Sequence, residues 1–275
     1  MKLHERTLQN RVARFMAPAM SNLIMALGCT RFVRKLIAYL NYSLGRGAGA
    51  GCELGPEVAV ALNCIQNENP VVFDVGANIG DWSEHYRTLM PKGRLFIFEP
   101  QPPCQNAIIE KHIPDSELIK AAVGRQRGQL TLFSSSATDG SASLHKREDS
   151  VFQDRTYREQ VVDVISLDDF ISERGIKFVD FIKFDIEGHE FEALAGLKNS
   201  LASRKINAFS FEFGGGNLNS RTCFRDFWNL LNPNFRLFII TPSGKLSEIT
   251  DYYEDLEYYR GVSNFVAKLK NAPPA

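Results

Sequence analysis

The stretch Phe73-Asp74-Val75-Gly76-Ala77-Asn78-Ile79-Gly80-Asp81-Trp82 decides the fold. Val71 to Val75 is a short β-branched run that stops at a glycine, so it reads as a strand. Asp81 to Thr88 reads as the helix that follows. A strand, a glycine loop and a helix in that order begin a βαβ unit. Gly76 and Gly80 lack a Cβ and let backbone approach a ligand closely. Their spacing is G-x-x-x-G, not the G-x-G-x-x-G of dinucleotide sites, which counts against an NAD-dependent oxidoreductase. Asp74 beside the loop is a poor neighbour for phosphate and suits a cationic or zwitterionic ligand better. Taken alone, the two glycines fit an ordinary strand-to-helix turn equally well.

The alternation continues outward in both directions. Helices are expected over Glu57 to Gln66, Gln105 to Lys111, Glu190 to Leu201 and Arg221 to Leu231. Strands are expected over Arg94 to Phe98, Leu118 to Val123, Gln129 to Phe133, Val161 to Ile165, Phe181 to Ile186, Ala208 to Phe213, Arg236 to Ile240 and Val262 to Leu269. Strands alternating with helices predict a mainly parallel sheet in an α/β fold. Ser134 to Arg155 is polar and poor in strand formers, so it reads as a loop or flap.

In such a sheet ligands bind beyond the carboxyl ends of the strands. Glu99 follows the second strand, 25 residues after Asp74. A carboxylate there accepts hydrogen bonds from a ribose diol. The next charged rim is Asp180-Phe181-Ile182-Lys183-Phe184-Asp185-Ile186-Glu187-Gly188-His189-Glu190. Lys183 and Asp185 lie in a strand buried on both faces, so each needs a partner, either the other or a ligand. Glu190 at a helix start fits a capping role as well as a chemical one. Glu212 ends the following strand at the same rim.

These motifs resemble the FkbM family of S-adenosylmethionine-dependent methyltransferases. The resemblance runs through residues 73–80, Phe98-Glu99-Pro100, 121–124, 141–144, 164–169, 180–190 and 211–213, in family order, and covers roughly residues 52–269. It implies a class I methyltransferase (Rossmann-like) fold, a doubly wound seven-stranded sheet with its last strand antiparallel. It implies that Asp74, Gly76, Asn78 and Gly80 line the methionine side of S-adenosylmethionine and that Glu99 holds the ribose. Asp139 and the segment of Ala122 and Val123 would lie near the adenine or the flap over it.

Methyl transfer is an in-line displacement, so much of the catalysis is positioning. An alcohol acceptor must also lose a proton. Asp185, Glu187, His189 and Glu212 are the available catalytic bases. A divalent cation held by two carboxylates would lower the alcohol pKa instead, but no histidine-rich ligand set is evident and base catalysis without a metal is favoured. The resemblance implies an oxygen acceptor, often on a saccharide, with a non-sugar metabolite or a silent cofactor-binding module as alternatives. Tyr252, Tyr253, Tyr258 and Tyr259, with their acidic neighbours, fit either a glycan surface or an ordinary edge loop.

Charge divides the chain. Lysine plus arginine equals aspartate plus glutamate at 32 each, which argues against a nucleic-acid partner. Yet residues 1–50 hold eight basic side chains and only Glu5 as an acid, leaving a +7 head and a −7 body. The head reads as two amphipathic helices, with Pro18 expected to kink the first. Gly45 to Gly51 is expected to be a flexible joint. The domains are then a basic extension (1–50), a methyltransferase domain (51–270) and a tail (271–275). The head fits a helical cap, on the catalytic domain or on a second subunit in a homodimer, or peripheral contact of residues 1–45 with an anionic membrane. The cap is favoured, because Pro18 and Gly28 disturb the long amphipathic face a membrane helix wants. Five scattered cysteines without a C-x-x-C pair predict reduced thiols and a cytoplasmic setting, although the arginine-rich, acid-poor start also resembles a transit peptide.

Overall fold

A computed structural model describes residues 3–49, 54–148 and 154–271, with backbone alone for 3–13. Ala50 and Gly51 of the expected joint, Cys52, residues 149–153 of the polar loop and 272–275 of the tail lie outside the described residues.

The first unit ends at Leu44 and contains α1 (Leu3–Ala26) and α2 (Thr30–Ser43). Helix α1 runs through Pro18 without a break. A proline removes one helical hydrogen bond, and here it does not end the helix. The second unit begins at Gly45. Gly47 N donates to Ser263 Oγ at 2.8 Å and Gly49 N to Val262 O at 2.7 Å, so this part of the expected joint is bonded along the sheet.

The second unit opens with α3 (Leu54–Cys64), β1 (Val71–Val75), α4 (Asp81–Leu89), β2 (Arg94–Phe98), α5 (Pro102–Glu110) and β3 (Ser116–Ile119). Next come β4 (Ala122–Val123), β5 (Gly128–Ser134), β6 (Arg158–Ile165), α6 (Leu167–Glu173), β7 (Val179–Phe184), α7 (Glu190–Ala195) and α8 (Lys198–Ala202). The chain closes with β8 (Ile206–Gly214), α9 (Gly215–Ser220), α10 (Phe224–Leu231), β9 (Phe235–Ile240), β10 (Leu246–Ile249), a 3-10 turn (Glu254–Leu256) and β11 (Val262–Leu269).

The main sheet has the order β10-β9-β11-β8-β7-β1-β2-β3. Strands β3, β2, β1, β7 and β8 pair in parallel, and β11 inserts antiparallel between β8 and β9. This is the doubly wound Rossmann-like sheet, with its last strand antiparallel. It has eight strands rather than seven, because β10 folds back on β9 as an antiparallel edge. The expected strand 118–123 divides, β3 staying in the main sheet and β4 joining β6 and β5 in a second one. The expected helix 190–201 breaks at Gly196 into α7 and α8. Arg221, with φ +57°, separates α9 from α10, so the last expected helix starts at Phe224.

Strand residues alternate between two apolar layers, as the pleat requires. Phe73, Phe96, Phe98 and Phe209 pack toward α6, α7, α8 and α10, whereas Val72, Ile97, Phe181 and Val266 pack toward α3, α4 and α5. The chain runs outward from β1 in opposite directions, through β2 on one side and β7 on the other. A crevice therefore opens beyond the carboxyl ends of β1 and β7, where open α/β sheets take ligands.

Candidate active site

The glycine loop is built by close approach of β1 and β7. Gly76 has φ +82°, and a Cβ there would lie 1.9 Å from Asp185 O, so no side chain fits. Gly76 N and Ala77 N both donate to Phe98 O, at 3.0 and 3.2 Å, tying the loop to the end of β2. Asn78 N donates to Glu99 Oε2 at 2.8 Å, and Gln101 N donates to Glu99 Oε1 at 2.8 Å. Two backbone amides thus fix the orientation of the Glu99 carboxylate. Burial pushes its pKa up to about 7 against those two bonds.

Six of the predicted residues line one cavity of about 500 Å³, mouth included: Gly76, Asn78, Glu99, Ala122, Asp139 and Asp185. Its apolar walls are Phe98, Leu132, Leu144 and Ile186. Asn78 Nδ2 is buried and has no hydrogen-bond partner. Asp74 and Gly80 stand behind this wall. Asp74 is fully buried, accepts from Ser83 Oγ at 2.6 Å and faces Lys183 Nζ at 3.7 Å. Burial raises its pKa and Lys183 opposes that. Gly80, at φ +81°, caps the start of α4. Asp139 turns its carboxylate inward, accepting from the backbone N and Oγ of Ser135 and of Ser141 at 2.6–2.9 Å. Burial works against its ionisation, but these four bonds hold its pKa at about 2.

Asp185 also lines a second cavity of about 300 Å³ with Glu57, Lys183, Glu212 and Asn264. Lys183 Nζ donates to Asp185 Oδ2 at 2.9 Å, so the buried Lys183 does pair with Asp185, which lies just past the end of β7 and is partly exposed. Carboxylate oxygens of Asp185, Glu187 and Glu212 lie within 4.8 Å of one another. Burial, then the charge of Asp185, pushes Glu187 up to about 7, while Arg147 pulls the other way from 2.6 Å. Burial, then Asp185 and Glu187, raises Glu212 well above the usual carboxylate range. This trio has the donor chemistry for a divalent cation and equally for sharing protons.

Residues 74–237 match the methyltransferase FkbM domain. The chain belongs to the FkbM methyltransferase family. It is 28% identical over 157 residues to a 2-O-methyltransferase, NoeI, of Sinorhizobium fredii, covering 53% of this chain and 64% of that protein. It is 27% identical over 139 residues to a hexuronic acid methyltransferase, AglP, of Haloferax volcanii, covering 50% and 53%. The matches therefore span less than two-thirds of those relatives' own length. Human methyltransferase-like protein 13, solved in complex with SAH, aligns over 82% of this chain and 86% of that one at 12% identity and a TM-score of 0.43.

In this FkbM chain neither Glu187 nor His189 is among the residues that line the two cavities, although Glu187 lies beside Asp185 and Glu212. His189 is held elsewhere. Its Nδ1 is 2.9 Å from His145 Nε2. Burial, then the neighbouring His145, pushes its pKa down to about 4, so it stays neutral at pH 7. Glu190 braces the backbone, with Oε1 accepting from Ile186 N and Gly188 N at 3.1 Å each. Burial raises Glu190 to about 8.

Sequence reasoning missed the clamp that holds the flap. Ser143 Oγ donates to Glu187 O at 2.8 Å, His145 meets His189, and Arg147 Nη1 donates to the Glu187 carboxylate. The three alternate along the chain, which is the signal that was available. The tyrosines of 252–259 are structural where their bonds are seen. Tyr252 and Tyr259 both donate to Glu257, which in turn accepts from Phe224 N and Arg225 N at the start of α10.

Proposed function

We propose that this chain is an S-adenosylmethionine-dependent O-methyltransferase acting on a saccharide hydroxyl. The observation that carries the reading is Asp185, which forms the wall shared by the cavity at the glycine loop and the acidic one, with Glu187 and Glu212 beside it. The cavity at the glycine loop fits the cofactor. The missing Cβ of Gly76 leaves room against the loop, Asn78 Nδ2 is a buried donor in want of an acceptor, and Glu99 presents fixed oxygens to a ribose diol. The acidic lining suits a sulfonium cation. When bound, the cofactor supplies a methyl group activated by that cation for in-line displacement.

The chain's own contribution is placement and proton removal. Glu187 accepts the proton of the acceptor hydroxyl, and a base with a pKa near the working pH is the most effective kind. Arg147 and the left-handed backbone of Glu187, at φ +54°, hold the carboxylate in place. An oxygen acceptor is favoured by the similarity to a 2-O-methyltransferase, and a saccharide by the similarity to a hexuronic acid methyltransferase.

Two measurements test the reading. Titration calorimetry should show S-adenosylmethionine binding, and mass spectrometry should show a single added methyl on a member of a glycan and glycolipid panel. No heat of binding would refute both the enzyme and the silent binding module. Transfer only to non-sugar metabolites would move the acceptor class. Glu99→Ala should weaken cofactor affinity about 10- to 100-fold, as expected for loss of hydrogen bonds to a charged group, and calorimetry on the variant checks it. Chelation with EDTA should leave turnover unchanged. A loss restored by magnesium would give the role of Glu187 to a cation held by Asp185, Glu187 and Glu212.

A further inference from the structure

The helical pair ahead of the sheet presents apolar and basic chemistry that the transfer reaction does not use. Residues 6–52 contain no aspartate or glutamate, and residues 1–44 carry seven lysines and arginines against Glu5. On α2, Phe32, Leu36, Ile37, Tyr39 and Leu40 recur at steps that return to one side of a helix. They are 45–67% exposed, and α2 has no buried residue. Lys35 lies one turn from both Phe32 and Tyr39, and Arg34 one turn from Ile37, so basic groups border the apolar face on both sides. On α1, Met16, Met20 and Leu23, with Leu27 in the turn that follows, make a second row, each at least half exposed. Apolar faces of this extent mark interaction surfaces.

We propose that residues 3–44 dock on an anionic lipid bilayer, lying in its interface. Among the described residues no helix is long and apolar enough to cross a membrane, so the contact is peripheral. The apolar rows enter the boundary between headgroups and acyl chains. Arg34 and Lys35 lay their methylene stems along that boundary and extend their charges to lipid phosphates. Charge selects this occupant over a second copy of the chain. A two-fold contact through the α2 face would bring Arg31, Arg34 and Lys35 of one copy against the same three of the other, whereas an anionic surface attracts each of them. The proposal is independent of the acceptor's identity.

The test is flotation of the full chain with vesicles of phosphatidylcholine alone and with vesicles containing one part in three of phosphatidylglycerol. Binding is expected to the anionic vesicles, to fall with added salt as screening grows, and to be weak on the neutral ones. Each basic group near such a surface strengthens binding about fivefold, so Arg31→Glu/Arg34→Glu/Lys35→Glu should lower partition at least about tenfold. Phe32→Ser/Leu36→Ser should also lower it. Calorimetric affinity for S-adenosylmethionine should stay unchanged in both variants, showing that the sheet domain is intact. Failure of the unmodified chain to float with anionic vesicles, or salt-independent binding equal on both compositions, would overturn the proposal without using a variant. So would sedimentation showing a dimer that Phe32→Ser/Leu36→Ser dissociates, which would make a second copy the occupant.

Discussion

Gly76→Ala is expected to abolish measurable cofactor binding and to lower Tm on the order of 10 °C, given strained-backbone costs of about 1–3 kcal/mol plus the steric conflict and about 2–4 °C per kcal/mol in a domain of this size. A Cβ at Gly76 meets Asp185 O at 1.9 Å and Ile186 Cγ2 at 2.8 Å. The first of these is backbone, held by Asp185 N donating to Val75 O at 3.0 Å, so it cannot swing aside as a side chain would. The φ of +82° adds conformational strain to any residue with a Cβ. Relief requires either that β1 and β7 part or that the loop lifts from Phe98 O. The first displaces Asp185 and the second breaks the amide bond from Asn78 to Glu99, so both routes damage the cavity. Thermal melts and calorimetry with S-adenosylmethionine check the result. Gly128→Ala is the control, since a Cβ there meets nothing within 4 Å and its φ is ordinary. Wild-type affinity in Gly76→Ala would show that this loop is not the cofactor wall.

The strand, loop and helix around Gly76 were legible because all the information is local. The β-branched run, the two glycines and the acidic strand ends lie within a few residues of one another, and strand order then brings Glu99, Asp185 and Glu212 to one rim. What the sequence hid is long-range. Arg147 meets Glu187 across 40 residues, and only the return of the chain from β5 through the flap makes that contact. Asp139 lines the cavity, yet its oxygens are taken by Ser135 and Ser141, a local turn that motif matching does not distinguish from ligand binding. Strand β10 was missed because Leu246-Ser247-Glu248-Ile249 is short and half polar, and it is a strand only by pairing with β9. His189 follows Gly188 at a helix start, where a base and a structural histidine look alike in sequence, and its contact with His145 is again long-range.

Glu187→Gln should lower kcat by about 10²- to 10⁴-fold, the usual contribution of a positioned base, while leaving cofactor affinity nearly unchanged. The amide keeps the size of the carboxylate and can still accept from Arg147, so the flap clamp is perturbed less than in Glu187→Ala. The pH dependence makes the assignment specific. A base works only when ionised, and burial with Asp185 nearby places the ionisation of Glu187 at about 7. Below that pH the carboxyl is protonated and turnover falls; above it the carboxylate is formed and turnover reaches a plateau. The wild-type profile should therefore rise through about pH 7, and the residual activity of Glu187→Gln should lack that limb. Arg147→Met removes the guanidinium that lowers the pKa of Glu187, so its limb should move to higher pH. Glu212 is the competing base, because the same cluster raises its pKa too. If Glu187→Gln keeps the limb and Glu212→Gln loses it, the proton goes to Glu212 and Glu187 serves the flap. A rate unaffected by either change would place proton removal outside the carboxylates that surround Asp185.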